Sequence, residues 1–406
     1  ATEESLYELA SVSKAFTGAG ILLLEEQGLL SMNDPVHKYL SWLTMEYKGM
    51  PVDMQSLTLN QFLHHTSGLT NRKHIQSIPQ GSTPDMLRKT VETLVDTELA
   101  FLPGEQYEYG TVNYDVLGLV IEVVSGQSYE SFMTEQVFRP LGLYHTYVYK
   151  EDALATEQLA QGYRSSFFIT SPYDAPNYAG NKPAGYIMSC TKDMARWMNI
   201  QMGVVQDIPE VFKAVIQKSH NGNIPALDIN GMYYAAGWLV NADKTIIEHS
   251  GDNPNFSTEV LMLPSERTAL CLLTNGANTN TALVKSIKGI LDGNLTQSYK
   301  ISSTQLWDII LSSATIIVSL LAIMFFILGL CRKKMNKQQA ISKKRIFSTV
   351  VWLTVTVAMC ITCWVFPMLM GYDWPTLLVW QSYSILTVLI SLALLTASIT
   401  CFIYTC

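Results

Sequence analysis

Near its start the chain carries a serine and a lysine three apart, in Leu9-Ala10-Ser11-Val12-Ser13-Lys14-Ala15-Phe16-Thr17. On a helix that spacing sets both side chains on one face, about one turn apart. A buried, neutral amine at that distance can take the proton of a hydroxyl, which makes the serine a nucleophile toward an acyl carbon. Ser-x-x-Lys by itself is common, and most such pairs are solvated residues on a helix surface. What would change its meaning is enclosure. Phe16 to Gln27 is apolar nearly all round, the mark of a buried central helix, and Gly28 is placed to close it. The pair would then stand at the N-terminus of that helix, where the dipole and the free N–H groups favour a developing negative charge.

Other residue types that could do chemistry are fewer. Leu57 to Leu63 reads as a capped helix running into His64-His65-Thr66-Ser67-Gly68-Leu69, and adjacent histidines at a helix end are more often structural than catalytic. Tyr109 stands before a helix expected over Asp115 to Val124; a tyrosine there either packs or faces a cleft. Of seven cysteines only Cys190 and Cys271 lie outside or away from the apolar C-terminal runs. They could pair in an oxidising compartment, or stay as two buried thiols. No Cys/His spacing suits a metal, so no metal site and no cofactor are expected. The net charge of −7, with no basic stripe in the soluble part, excludes nucleic acid as a partner.

The elements that must position these residues follow in order. Ser131 to Leu141 is expected to be helical, 144 to 180 rich in loops and strands, and Thr191 to about Gly203 a helix with Thr191 as N-cap. Period-two alternation then marks antiparallel strands at Tyr233 to Val240, Thr245 to His249, Thr258 to Leu263 and Thr268 to Thr274. A last amphipathic helix spans roughly Thr281 to Leu291. Helices followed by strands and a helix, without βαβ alternation, describe an α+β domain with an antiparallel sheet.

From Leu306 onward the chain changes character. Three apolar runs, about 306–330, 346–370 and 376–404, each exceed the ~20 residues that cross a bilayer. The soluble domain is therefore expected to cover 1–298 and the membrane domain 299–406. Between the first two runs lie Arg332-Lys333-Lys334-Met335-Asn336-Lys337 and Lys343-Lys344-Arg345, with no acid, which marks the cytoplasmic side. Gly371-Tyr372-Asp373-Trp374-Pro375 has no basic residue and belongs outside. The expected topology is a multi-pass protein of the bacterial inner membrane, its soluble domain extracytoplasmic and Cys406 cytoplasmic. No charge falls in the middle of any run, so the runs read as an anchor rather than a transport path.

Taken together, the ordered motifs resemble the serine β-lactamase and penicillin-binding-protein superfamily, on its class C-like branch with peptidases of the D-Ala-D-Ala carboxypeptidase B type. They are Ser11-Val12-Ser13-Lys14, His65-Thr66-Ser67-Gly68-Leu69, Pro103-Gly104 before Tyr109, Pro140-Leu141-Gly142-Leu143, Ser189-Cys190-Thr191-Lys192-Asp193-Met194, Ala236-Gly237-Trp238 and His249-Ser250-Gly251. The resemblance implies a β-lactamase/transpeptidase-like antiparallel sheet with flanking helices and a helical subdomain, followed here by three transmembrane helices. It implies Ser11 as nucleophile, Lys14 as its base and Tyr109 as the proton relay to a leaving amine. It makes His249-Ser250-Gly251 the strand motif, and the N–H groups of Ser11 and Asp252 the oxyanion hole.

Two departures narrow it. The tyrosine motif is Tyr109-Gly110-Thr111, without the usual amide, and His249 replaces a lysine that would hold a carboxylate. With three C-terminal spans these resemble membrane-bound peptidases that mature nonribosomal peptide–polyketide products, of the colibactin and zwittermicin type. Glu8-Leu9-Ala10-Ser11, Asn113-Tyr114-Asp115-Val116-Leu117-Gly118 and Asn253-Pro254-Asn255-Phe256-Ser257 carry that likeness. It implies a serine peptidase that removes an N-acyl-D-asparagine cap, with Thr111, Asn253 and Asn181 as substrate-binding residues. Asn253 reads equally as a turn residue before Pro254. The alternatives are a membrane-anchored penicillin-binding protein, β-lactamase or esterase, and a catalytically dead sensor. Expected partners are a small peptide or acyl-amide metabolite, the membrane and a second copy of the chain as a homodimer. The family carries further strands before the serine helix, so an N-terminal segment is expected to be missing and the sheet to have an unpaired apolar edge.

Overall fold

The computed structural model describes residues 1–74, 78–227, 231–277, 281–294, 303–335, 342–369 and 371–405. It comprises two compact units, one of Ala1–Tyr163 with Tyr173–Lys300, the other of Arg164–Pro172 with Ile301–Cys406. The expected boundary at 298/299 lies outside the described residues, as do Asn336, Lys337, Met370 and Cys406.

Helix α1 (Ser13–Glu26) is the axis of the larger unit. Every residue from Ser13 to Leu24 is buried, as a helix without a polar face requires. Phe16 stacks on Trp197 at 4.5 Å between centroids and meets Phe138 edge-on at 5.6 Å. Helix α2 (Val112–Ser125) packs against α1 and ends on Gly126 in the left-handed conformation. It begins three residues before the expected start. Tyr129–Phe132, Met133–Phe138 and Arg139–Leu141 form one continuous helical course with a π-helical middle. Helix α3 (Thr191–Gln201) matches expectation in extent but not in its cap. Cys190 occupies the N-cap position, while the Thr191 hydroxyl donates to Glu3 O at 3.2 Å. A further amphipathic helix, Glu210–Ser219, lies against α1 and has no counterpart in the sequence expectations.

The main sheet is an antiparallel meander of five strands: β1 (Tyr233–Tyr234), β2 (Leu239–Val240), β3 (Ile247–Asp252), β4 (Ser257–Leu263) and β5 (Thr268–Thr274). β3 is central, β4 beside it is wholly buried, and β5 and β1 form the edges. The single strand expected over 233–240 is instead two short strands around a reversal. Gly237 makes the reversal, with φ +82°, and presses on α1: a Cβ there would lie 2.3 Å from Ala15 N. Only glycine accepts both conditions. Cys190 and Cys271 are free thiols.

The smaller unit holds α4 (Ser303–Met335), α5 (Lys343–Leu369) and α6 (Ser384–Thr405), three helices long and apolar enough to cross a membrane. The third run is not one helix, as expected from 376 to 404. Asp373 caps a separate helix, Trp374–Trp380, by accepting from Thr376 N, and α6 starts after it. The hairpin Tyr163–Ser166/Ile169–Pro172 contributes Arg164–Pro172 to this unit.

Gly237→Ala should destabilise the protein by about 2–4 kcal/mol, because strain at positive φ adds to a backbone clash. Denaturant unfolding of the full chain in detergent, followed by tryptophan fluorescence, measures this; an unchanged midpoint would refute the packing described.

Candidate active site

Ser11 sits in a 3-10 turn, Ala10–Val12, that feeds directly into α1. Ala10 carries φ +47°, a left-handed conformation that costs an alanine roughly 1–2 kcal/mol. The strained turn delivers Ser11 to the helix N-terminus, and Lys14 returns to it from one turn on. Lys14 Nζ lies 3.2 Å from Ser11 Oγ, 3.1 Å from Thr111 Oγ1 and 2.7 Å from Ala184 O.

Lys14 is fully buried. Burial lowers its pKa to about 7, opposed by the charge of Asp115, whose own pKa burial raises. A neutral amine has two N–H donors and one lone pair. Ala184 O can only accept, and Thr111 Oγ1 can accept the second N–H. The lone pair is then left for the Ser11 hydroxyl, which is the arrangement a base needs. Asp115, one turn beyond Thr111 on α2, stabilises the ammonium that forms when the proton arrives.

Tyr109 covers the pair, with Lys14 Nζ 5.0 Å from its ring centroid. Its hydroxyl is buried and makes no hydrogen bond among the described residues, which leaves it available to a bound group. Burial raises its pKa, so the phenol keeps its proton. Beneath it lies His65, with ring centroids 4.3 Å from Tyr109 and 4.4 Å from Tyr234. His65 Nδ1 accepts from Gly110 N at 3.3 Å and lies 3.1 Å from Asn113 Nδ2, tying the Tyr109-Gly110-Thr111 turn down. His64 closes the helix Leu59–Leu63 by bonding Asn60 O, the structural role its position suggests.

β3 passes directly against the Ser11 turn. A Cβ on Gly251 would fall 2.8 Å from Ser11 N and 2.6 Å from Leu9 O, so no other residue fits. This brings Ser250, Gly251 and Asp252 to the Ser11 turn. His249 Nδ1 donates to Ser250 O at 2.6 Å, and its Nε2 accepts from Tyr234 at 3.1 Å. Burial and the nearby Lys14 push its pKa down to about 3, so the imidazole is neutral where a lysine would be charged.

The three expected substrate-binding residues are placed differently from one another. Thr111 is engaged with Lys14 itself. Asn253 donates its amide to Glu8 Oε2 at 2.6 Å and to Gly185 O at 3.0 Å. Asn181 donates to Asp115 Oδ2 at 2.6 Å. Both asparagines are buried. Spacing alone did not point to Ala184, Asp115, His65, Tyr234 or Glu8, which surround the pair. Asp115 and Glu8 lay within motifs quoted for the resemblance, but nothing local marked them as buried carboxylates.

The fold and these contacts define the class. A family model described as Beta-lactamase matches residues 1–294, and the chain belongs to that family, within the β-lactamase-like serine hydrolases. Among particular relatives it is similar to Protein flp of Staphylococcus aureus (strain MW2), 28% identical over 414 residues, which covers 99% of this chain and 80% of flp. Penicillin-binding protein 4* of Bacillus subtilis (strain 168) is 29% identical over 310 residues, 71% of this chain and 65% of that protein. The structure of the octameric penicillin-binding protein homologue from Pyrococcus abyssi shares the fold, with TM-score 0.58 and 24% identity over 72% of this chain and 67% of that one.

Labelling of Ser11 by a fluorophosphonate probe should depend on neutral Lys14. Its rate should rise with pH to a plateau above about 7 and fall roughly tenfold per unit well below that. Lys14→Met should slow labelling by ~10²–10⁴ and remove the pH limb. A limb retained in that variant would exclude Lys14 as its source.

Proposed function

We propose that the chain is a membrane-anchored serine peptidase that works outside the cytoplasm and removes an N-acyl-D-asparagine cap from a nonribosomal peptide–polyketide product. Lys14 takes the Ser11 proton as Oγ attacks the asparaginyl carbonyl, and the oxyanion rests on the N–H groups of Ser11 and Asp252. The C–N bond breaks, and Tyr109 relays the proton to the departing amine. Water, deprotonated by the same pair, then hydrolyses the acyl ester.

One observation carries the choice of substrate. Asn181 and Asn253 each donate their NH₂ to a buried acidic side chain, which leaves their carbonyl oxygens to accept. Those oxygens lie 3.5 Å and 3.8 Å from the point a Cβ of Gly185 would occupy, next to the Ala184 carbonyl that holds Lys14. Two such acceptors suit a carboxamide N–H₂ and offer nothing to a carboxylate. The neutral imidazole likewise removes the charge that would anchor penicillins.

Incubation of the full chain with an N-acyl-D-Asn amide and its L-Asn and D-Ala analogues tests this. The D-Asn compound should be cleaved at least about tenfold faster, and the D-Ala analogue, which leaves the amide acceptors unpaired, should be rejected by up to about 10⁴-fold. Equal rates, or none, would overturn it. The similarity to a protein named penicillin-binding favours the second reading, a penicillin-binding protein, β-lactamase or esterase. Stable labelling by fluorescent penicillin would support that reading. On the first, labelling should appear only in His249→Lys.

Arg332, Lys333, Lys334, Lys343, Lys344 and Arg345 cluster at the α4–α5 ends, which supports a cytoplasmic connection there. Protease added to intact spheroplasts should therefore degrade the hydrolase unit while sparing that connection. Protection of the hydrolase unit would reverse the orientation.

A further inference from the structure

The hairpin that joins the smaller unit turns on two phenylalanines. Phe167 and Phe168 have φ +56° and +60°, between the strands Tyr163–Ser166 and Ile169–Pro172. A two-residue turn with both residues in the left-handed region normally carries Asn and Gly, since a Cβ is strained there. Strain of this kind persists only where the surroundings enforce it.

The surroundings that enforce it belong to the membrane helices. The Asp308 carboxylate of α4 accepts from Phe167 N at 3.3 Å and from Phe168 N at 3.2 Å. It also accepts from the Ser382 hydroxyl, which bonds Ser166 Oγ at 3.1 Å. Arg164 donates to Leu378 O at 2.8 Å and Val379 O at 3.0 Å, and lies 3.9 Å from the centroid of the Tyr383 ring. The backbone of the tip is thus satisfied by protein, while its apolar side chains point elsewhere. Phe168 is 53% exposed, Ile169 66%, and Trp307 beside Asp308 is 60% exposed.

Depth identifies what those side chains meet. Asp308 precedes Arg332, the first basic residue at the far end of α4, by about 24 residues, or about 36 Å of helix. The hydrocarbon core is about 30 Å thick. With Arg332 among the headgroups of one leaflet, Asp308 falls at the edge of the hydrocarbon in the other, where aromatic side chains concentrate. The tip it holds shares that depth. Trp307, Ile309 and Ile310, which flank Asp308 on α4, are exposed as well, so the occupant argued for is lipid.

We propose that Phe168 and Ile169 insert into the interfacial layer of the bilayer, making the hairpin a lipid-binding element clamped to the membrane helices by Asp308 and Arg164. The proposal requires only that the three helices span a membrane. It is independent of the substrate.

Photocrosslinking in nanodiscs of phosphatidylcholine and phosphatidylglycerol tests it on the full chain. The photoreactive residue p-benzoylphenylalanine replaces Phe168, a change that keeps an aromatic in place. The same residue at Leu320, exposed within α4, reports lipid contact, and at Tyr144, exposed in the hydrolase unit, reports background. Lipid adducts counted by mass spectrometry should reach at least half the Leu320 yield at position 168 and about tenfold less at Tyr144. A yield at position 168 no higher than at Tyr144 overturns the proposal. Asp308→Asn weakens the clamp and should lower the yield at position 168 without changing that at Leu320. An unchanged yield at position 168 would overturn the role of Asp308.

Discussion

The larger unit is arranged around one desolvated amine. Keeping Lys14 out of water makes it a base near neutrality, and the same burial is unfavourable to folding. An ordinary lysine holds its proton to far higher pH than this one. Between about 7 and that ordinary value the unfolded chain therefore binds more protons, and stability rises with pH across the window. At neutral pH the site detracts from stability, and the apolar packing of α1 offsets it. Phe16 on Trp197, and the unbroken burial from Ser13 to Leu24, are the price of that arrangement.

The amine also dictates its neighbours. A lone pair directed at Ser11 requires that every other direction be filled by an acceptor. Thr111 at the start of α2 and the carbonyl of Ala184 do so from distant parts of the chain. Asp115, whose Oδ2 accepts from Asn181, lies close enough to favour the ammonium form of Lys14 without displacing Ser11. A second cation close by would push the Lys14 pKa lower still. A neutral His249, held in one tautomer by Tyr234 and Ser250, is compatible with the same pocket. A neutral group at that position on β3 leaves the Lys14 amine without a second cation beside it.

The membrane unit obeys a different constraint. In lipid the backbone must be satisfied internally, and the breaks between helices fall where polar groups can serve them. The interruption before α6 is such a place. Arg164 caps the carbonyls that end the helix Trp374–Trp380, and Ser382 bonds Asp308. A hairpin from the middle of the chain completes a structure that begins well over a hundred residues later.

Much of the molecule was legible because its signals are local. An unbroken apolar run marks α1, first-turn residues mark α3, alternation marks β3 to β5, and length with lack of charge marks the three apolar runs. The Ser11–Lys14 pairing follows from helical spacing, a rule that acts over one turn. What stayed hidden depends on contacts between remote segments. Nothing near Gly237 in the sequence says that α1 lies 2.3 Å from its missing Cβ, so local alternation reads as one strand where the fold makes a reversal. Thr111 and Asn253 carry groups that suit a substrate amide, but only the tertiary structure engages one with Lys14 and the other with Glu8. The residue types that can make and break an acyl bond were set by the sequence alone. Whether the amine among them is dry, and therefore a base, was decided by the fold, because burial is a property of everything packed around it.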